Sequence, residues 1–199
     1  MKSIVIPVLL FVLTMTVTPG PNNMLLTASG ARFGYRRTLP FIAGIVLGII
    51  SQLILSALGL GYLFQHYPLA QKVLKIAGSA YILYLAVKIA MPSGKSKKKG
   101  ENVEEPMHFI QGALFQYLNP KAYIMTITAM SVYPLQGDMY FRSSLFILLS
   151  FLIICPLSIS LWAGFGSLLK KVMKEGRYAG RLNLFLGGIT ALSVVFILK

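Results

Sequence analysis

Long apolar runs alternate with short polar connections along the whole chain. About 20 apolar residues suffice to cross roughly 30 Å of hydrocarbon, and stretches of that length recur. The first runs from about Ile4 to Thr27 and is followed by a connection holding Arg32, Arg36 and Arg37. From Thr38 to Gln71 there is no Lys, Arg, Asp or Glu. At a rise of about 1.5 Å per residue this is too long for one straight span. The pattern therefore predicts a second span over about Leu39–Leu63, a turn around His66-Tyr67-Pro68, and a third helix opened by Pro68, a residue suited to a first helical position. The third span covers about Lys72–Ala90, where Tyr81 and Tyr84, three apart, share a face. Further spans are predicted over about Phe109–Val132, Ser143–Leu168 and Leu182–Leu198.

Two of these runs are interrupted by helix breakers and polar amides. Thr18-Pro19-Gly20-Pro21-Asn22-Asn23 lies inside the first, and Asn119-Pro120-Lys121 inside the fourth. In lipid a freed backbone group or a charge is expensive, so such places usually line a cavity or a pathway.

Composition narrows the class. Of 199 residues, 56% are hydrophobic and 12% charged, about half the charged share of a soluble domain. With a mean hydropathy of +0.72, the sequence reads as an all-α integral membrane protein. The net charge of +14 does not point to nucleic acid, because the cations cluster in short connections between apolar runs, where the positive-inside rule places them. The connections after spans one, three and five are basic. Those after two and four, and both terminal tips, are poor in Lys and Arg. Lys72 and Lys75 are the exceptions, and both can snorkel. This bias predicts basic loops in the cytoplasm and both termini outside. Lys2 and the apolar stretch after it imitate a signal peptide, but Pro19 and Pro21 and the absence of a small-residue cleavage site favour an uncleaved first span.

The most hydrophilic stretch, Lys95-Ser96-Lys97-Lys98-Lys99 with Glu101, Glu104 and Glu105, divides the chain near its middle. About six transmembrane helices then fall into two halves of three, which cross the membrane in opposite directions. The expected architecture is one transmembrane transporter domain over 1–199. It comprises an inverted three-helix repeat at about 1–92, a cytoplasmic loop at about 93–107 and a second repeat at about 108–199. Helices one and four are broken. Ala57-Leu58-Gly59-Leu60-Gly61 and Trp162-Ala163-Gly164-Phe165-Gly166 end spans two and five with a similar, weaker pattern. Interrupted helices in matching positions of two halves are what an inverted-repeat transporter shows.

The breaks define the candidate site. Pro19, Gly20 and Pro21 leave carbonyls without intrahelical partners, so the helix unwinds or bends there. Asn22 and Asn23 then open a second half-helix, whose free N–H groups and positive dipole end favour a carboxylate. A kink that only shapes packing is the plainer reading. Lys121 lies near the middle of its span, where a lone lysine costs about 2.5–3.5 kcal/mol on insertion scales. No acidic residue lies inside any span to neutralise it. Three roles stand beside one another for Lys121: binding a substrate carboxylate, exchanging a proton, and pairing with carbonyls exposed by the first break. Gln116, Asn119 and Tyr123 fall on roughly one helical face and complete the candidate substrate-binding set with Asn22, Asn23 and Lys121. Thr18, Pro19, Gly20, Pro21 and Pro120 form the helix-break set.

At these residues the chain resembles the lysine exporter (LysE/RhtB) family of bacterial amino acid efflux proteins. The resemblance rests on Thr18-Pro19-Gly20-Pro21-Asn22-Asn23, followed by Gly30, Gly34, Gly44 and Gly48, and on Asn119-Pro120-Lys121-Ala122. Ala77-Gly78-Ser79-Ala80-Tyr81-Ile82-Leu83-Tyr84-Leu85 is similar to the family's third span. The double asparagine resembles the subgroup exporting cysteine and O-acetylserine. The stretch Tyr123-Ile124-Met125-Thr126 departs from the longer aromatic run common after N-P-K. The resemblance implies a multi-pass protein of the bacterial cytoplasmic membrane. It implies secondary active efflux of small amino acids or derivatives, neutral or homoserine-like ones included, driven by the proton gradient.

The remaining features carry less. Gly44 and Gly48 form a GxxxG, read as close helix packing. Pro156 reads as a kink and Trp162 as an interfacial anchor. Cys155 stands alone, which excludes an intramolecular disulfide, and His66 and His108 lie near span edges, unsuited to a shared metal. No nucleotide loop, metal constellation or nucleophile–base pair occurs, so neither a cofactor nor an enzymatic activity is expected. The expected partners are a small amino acid, protons and the lipid bilayer, with a homo-oligomer left open. The rival readings are a non-transporting membrane scaffold or assembly subunit, and an exporter of an ion or another small metabolite.

Overall fold

The computed structural model describes residues 1–91, 105–174 and 179–198. Among them the chain is helical throughout, without strands. The polylysine stretch, and Arg177 of the basic connection before the last helix, lie outside the described residues.

The helices follow the apolar runs. α1 (Lys2–Val17) ends where Thr18 turns extended and the Pro19-Gly20-Pro21 sequence forbids helical hydrogen bonding. α2 (Pro21–Phe33) restarts with proline at its first position. The two are bent by 53° at the break. α3 (Tyr35–Leu55) runs into a π-helical turn over Ser56–Leu60 and then α4 (Gly61–His66). α5 (Pro68–Ala90) opens on Pro68, as its sequence predicts. The fourth run divides into α6 (Phe109–Leu118) and α7 (Pro120–Val132), with extended Asn119 between them. α8 (Tyr140–Lys174) continues through Pro156 without a break, and α9 (Ala179–Leu198) follows. Three helical stretches, over 35–59, 71–90 and 137–169, are long and apolar enough to cross a membrane, or four if α1 and α2 form one bent span.

Several boundaries differ from the sequence reading. The second run starts at Tyr35 rather than Leu39 and is not one helix, because Gly59 adopts φ 111° inside it. Gly164, its supposed counterpart, sits inside the regular helix α8. The likeness between the two span ends is therefore not a structural one.

Polarity is distributed inside out. Leu10, Leu58, Leu114, Leu149, Leu157 and Leu168 are exposed, whereas Asn23, Gln52, Gln116, Asn119 and Thr126 are buried. Exposed leucine beside buried amide is the arrangement lipid demands, since polar groups there must find partners within the protein. Along α8, Ile147, Phe151, Cys155, Ile159 and Ala163 recur every four residues and are all buried, a stripe that binds α8 to the core.

The helix pairings cross the midpoint of the chain. α2 lies along α8, α3 along α6, and α5 along α9, and these are the most extensive contacts. Glycines bring the backbones together. Gly30 meets the Ala163 carbonyl while Gly166 meets that of Thr27. Gly44 meets the Phe109 carbonyl while Gly112 meets that of Phe41. A side chain at any of the four would overlap the facing backbone. Gly44 and Gly48 both face α6, in keeping with the packing role read from their spacing.

These contacts generate a test. Gly44→Leu should destabilise the protein by about 1–3 kcal/mol or more through overpacking, read as a lowered thermal midpoint in detergent. Gly188→Ala, where a methyl group meets nothing within 4 Å, should leave the midpoint unchanged or raise it.

Candidate functional site

The two breaks meet. Lys121, the second residue of α7, sends its ammonium across to the end of α1, donating to the Thr18 carbonyl at 2.9 Å, to Thr18 Oγ1 at 2.8 Å and to the Pro19 carbonyl at 3.4 Å. A cation at the carbonyl end of a helix is electrostatically favoured. In the other direction Asn22, the second residue of α2, pairs with Gln116 near the end of α6. Its Nδ2 donates to Oε1 at 2.8 Å, and Gln116 Nε2 donates back to Asn22 Oδ1 at 3.2 Å. Both half-helices that leave a break have 13 residues and begin with proline. In each, the residue after the proline reaches into the opposite half of the chain.

The freed carbonyls are satisfied in a matching way. Trp162 of α8 donates its indole N–H to the Val17 carbonyl at 3.0 Å, and Gln52 of α3 donates Nε2 to the Gln116 carbonyl at 2.8 Å. Counted back from Pro21 and Pro120, Val17 and Gln116 are equivalent positions. Asn23 closes the first break from within, donating Nδ2 to the Thr16 and Thr18 carbonyls at 2.9 Å each. Asn119 does so at the second, its Oδ1 accepting the Lys121 backbone N–H at 3.2 Å. The first turn of each new half-helix carries N–H groups that no carbonyl of its own helix can reach. The breaks thus combine two positive helix ends with one ammonium.

Between them lies a cavity of about 30 Å3, whose lining combines Thr16, Gly20, Asn22, Asn23, Asn119 and Lys121 with the apolar Met15, Ile49, Ala122, Met125, Cys155 and Ile159. It has room for about one water and not for an amino acid. The Lys121 stem crosses Gly20, where a Cβ would stand 3.0 Å from its Cδ.

The structure therefore brings Thr18, Pro19, Gly20, Pro21, Asn22, Asn23, Gln116, Asn119, Pro120 and Lys121 together around the two breaks. Pairing of Lys121 with carbonyls of the broken first helix, one of its three expected roles, is realised. Tyr123 stands apart. Gln116, Asn119 and Tyr123 do not share one helical face, because the helix stops at Leu118 and restarts at Pro120. Tyr123 packs edge-on against Phe64 at 5.7 Å and does not line the cavity. Its buried hydroxyl has no hydrogen-bond partner. Trp162, expected as an interfacial anchor, caps the first break instead. Gln52 went unnoticed in the sequence, although an amide in the apolar middle of a long uncharged run is the kind of signal that marks it.

No solved structure matches the chain. A protein of Escherichia coli strain K12 named cysteine/O-acetylserine efflux protein is 29% identical over 177 residues, covering 88% of each chain. A protein of the same name from Shigella flexneri serotype 5b is 30% identical over 177 residues, with the same coverage. The family model described as LysE type translocator matches residues 13–198, and the chain belongs to that family.

Proposed function

We propose that this protein is a secondary exporter of small neutral amino acids or their derivatives, cysteine and O-acetylserine among them, coupled to the proton gradient of the bacterial cytoplasmic membrane. Its transporter domain comprises two inverted three-helix repeats, about 1–92 and 108–199, with the basic loops in the cytoplasm and both termini outside. The substrate site lies at the paired breaks.

The observation that carries this reading is the reciprocal crossing of Lys121 to Thr18 and of Asn22 to Gln116. Two half-helices of equal length opened by proline, each following a helix end capped by the second helix of the opposite half, fit a two-fold relation between inverted repeats. The names of the relatives and the family supply the substrate class. The chemistry of the site agrees with it. A carboxylate entering the cavity would meet the Lys121 ammonium and the positive dipole ends of two helix starts. Asn22 offers donors and an acceptor without net charge, and Asn23, whose two N–H donors serve the Thr16 and Thr18 carbonyls, offers its amide oxygen. Met15, Met125 and Cys155 give the side chain an apolar, polarisable wall. Among the described residues lining the cavity none is acidic, which disfavours lysine-like side chains and metal cations.

In this mechanism the small cavity widens when the substrate carboxylate displaces the Thr18 and Pro19 carbonyls from Lys121. The substrate ammonium then replaces Gln116 Nε2 as the donor to Asn22 Oδ1. Release to the other side restores the protein's own pairs. Lys121 is the proton-coupling candidate, an amine that holds its proton while a carbonyl or carboxylate accepts from it and can give that proton to water when both have left.

Three outcomes test the proposal. Lys121→Ala and Asn22→Ala should each reduce O-acetylserine and cysteine excretion by overexpressing bacteria about tenfold or more, the loss of a charged or paired hydrogen bond, while immunoblots show normal amounts in the membrane. Normal excretion from both variants would remove the breaks from the transport route. Liposomes containing only this protein should exchange labelled O-acetylserine by counterflow, and absence of exchange would favour the scaffold reading. In a Cys155→Ser background, an impermeant thiol reagent applied to intact cells should label Leu69→Cys and spare Arg37→Cys. The opposite pattern would reverse the orientation.

A further inference from the structure

A second cavity, of about 130 Å3, lies on the arginine-bearing side of the breaks. α2 and α5 wall it, and Glu105 and Met107, just before α6, close one side. It is over four times the volume of the break cavity and offers room for a small organic molecule.

Its lining is amphoteric. Arg32 and Lys88 bring positive charge, Glu105 brings negative charge, and Leu25, Leu85 and Ile89 provide an apolar floor. The guanidinium is fixed at the end of α5, where Arg32 Nη2 donates to the Ile89 carbonyl at 2.9 Å and to the Met91 carbonyl at 3.2 Å. Glu105, exposed beside the cavity, has its Oε2 3.2 Å from His108 Nε2. A guanidinium held in place before a ligand arrives binds it at less entropic cost.

The cavity also aligns with the breaks. Asn22, Leu25, Ser29 and Arg32 are spaced by three, four and three residues and form one face of α2. Asn22 lines the break cavity, and the other three line the larger one. About 15 Å of helix joins the two ends of this stripe.

We infer that the larger cavity is an uptake subsite for a zwitterionic α-amino acid. The carboxylate faces Arg32 and Lys88, the ammonium faces Glu105, and a short side chain rests on Leu25 and Leu85. The substrate then moves along the α2 stripe to the breaks. An anionic lipid headgroup would satisfy the two cations but would be repelled by Glu105. The inference rests on the reading of the chain as an amino acid exporter.

The test uses labelled O-acetylserine and the full chain in pure phosphatidylcholine, as liposomes for counterflow and as nanodiscs for equilibrium binding. Glu105→Gln and Lys88→Gln should raise the half-saturating concentration about tenfold, the scale of one lost charge-assisted hydrogen bond, with the maximum rate unchanged. Glu105→Asp should restore the wild-type value. Lys121→Ala should stop counterflow yet still bind O-acetylserine in nanodiscs. Wild-type half-saturation in both Gln variants, or no binding by Lys121→Ala, overturns the subsite while leaving an exporter that works through its breaks. An effect that appears only after anionic lipid is added overturns it in favour of a lipid site. A wild-type protein that neither exchanges nor binds O-acetylserine overturns both the subsite and the exporter reading.

Discussion

A carbonyl that has lost its helical partner cannot be left bare in hydrocarbon, and the rest of this structure follows from meeting that requirement twice. Prolines free carbonyls at Val17, Thr18 and Pro19 in one half and around Gln116 in the other. Each break draws partners from beyond itself. Trp162 and Lys121 serve the first, and Gln52 serves the second. Because those partners come from the opposite half of the chain or from the helix packed against it, the breaks fix which helices must lie together. The glycine contacts between α2 and α8 and between α3 and α6 then allow the approach that those hydrogen bonds need.

The same requirement gives the site its character. A backbone opened inside a membrane supplies donors and acceptors whose directions are fixed by the helix ends, so little side-chain chemistry has to be added. Two amides from each half and one ammonium complete it. Lys121 differs from its counterpart Asn22 by carrying charge, and a region that is even in shape is therefore uneven in potential. Because the Lys121 ammonium reaches across to Thr18 and Gly20, an anionic group is attracted to the first break more than to the second.

Much of this was legible in the sequence because proline acts locally. Pro68 opens a helix where its position predicts, the breaks fall at Pro19–Pro21 and Pro120 where the sequence interrupts its spans, and the apolar runs locate the helices to within several residues. What the sequence hid depends on contacts distant along the chain. Nothing near Trp162 or Gln52 shows that a carbonyl more than 60 residues away needs a donor. Tyr123 was placed on a face that exists only if the helix is continuous, so the proline that revealed the break also invalidated the face. Gly59 looked like Gly164 because spacing records which residues recur and not the backbone angle each adopts. The larger cavity was invisible for the same reason, since Arg32, Lys88 and Glu105 converge only after α2 and α5 pack.

The paired caps carry a dynamic consequence. In the proposed exporter, a rigid rotation of one half against the other would strain the Trp162 and Gln52 bonds together, because each joins one half to the other. The exposed carbonyls then need water as soon as the protein donors leave them. Reorientation is thus inseparable from wetting, and its barrier falls wherever water can enter first. A fold that hydrates only one face at a time turns that dependence into a seal: the dry side keeps its caps, and the pathway never becomes a continuous column of water.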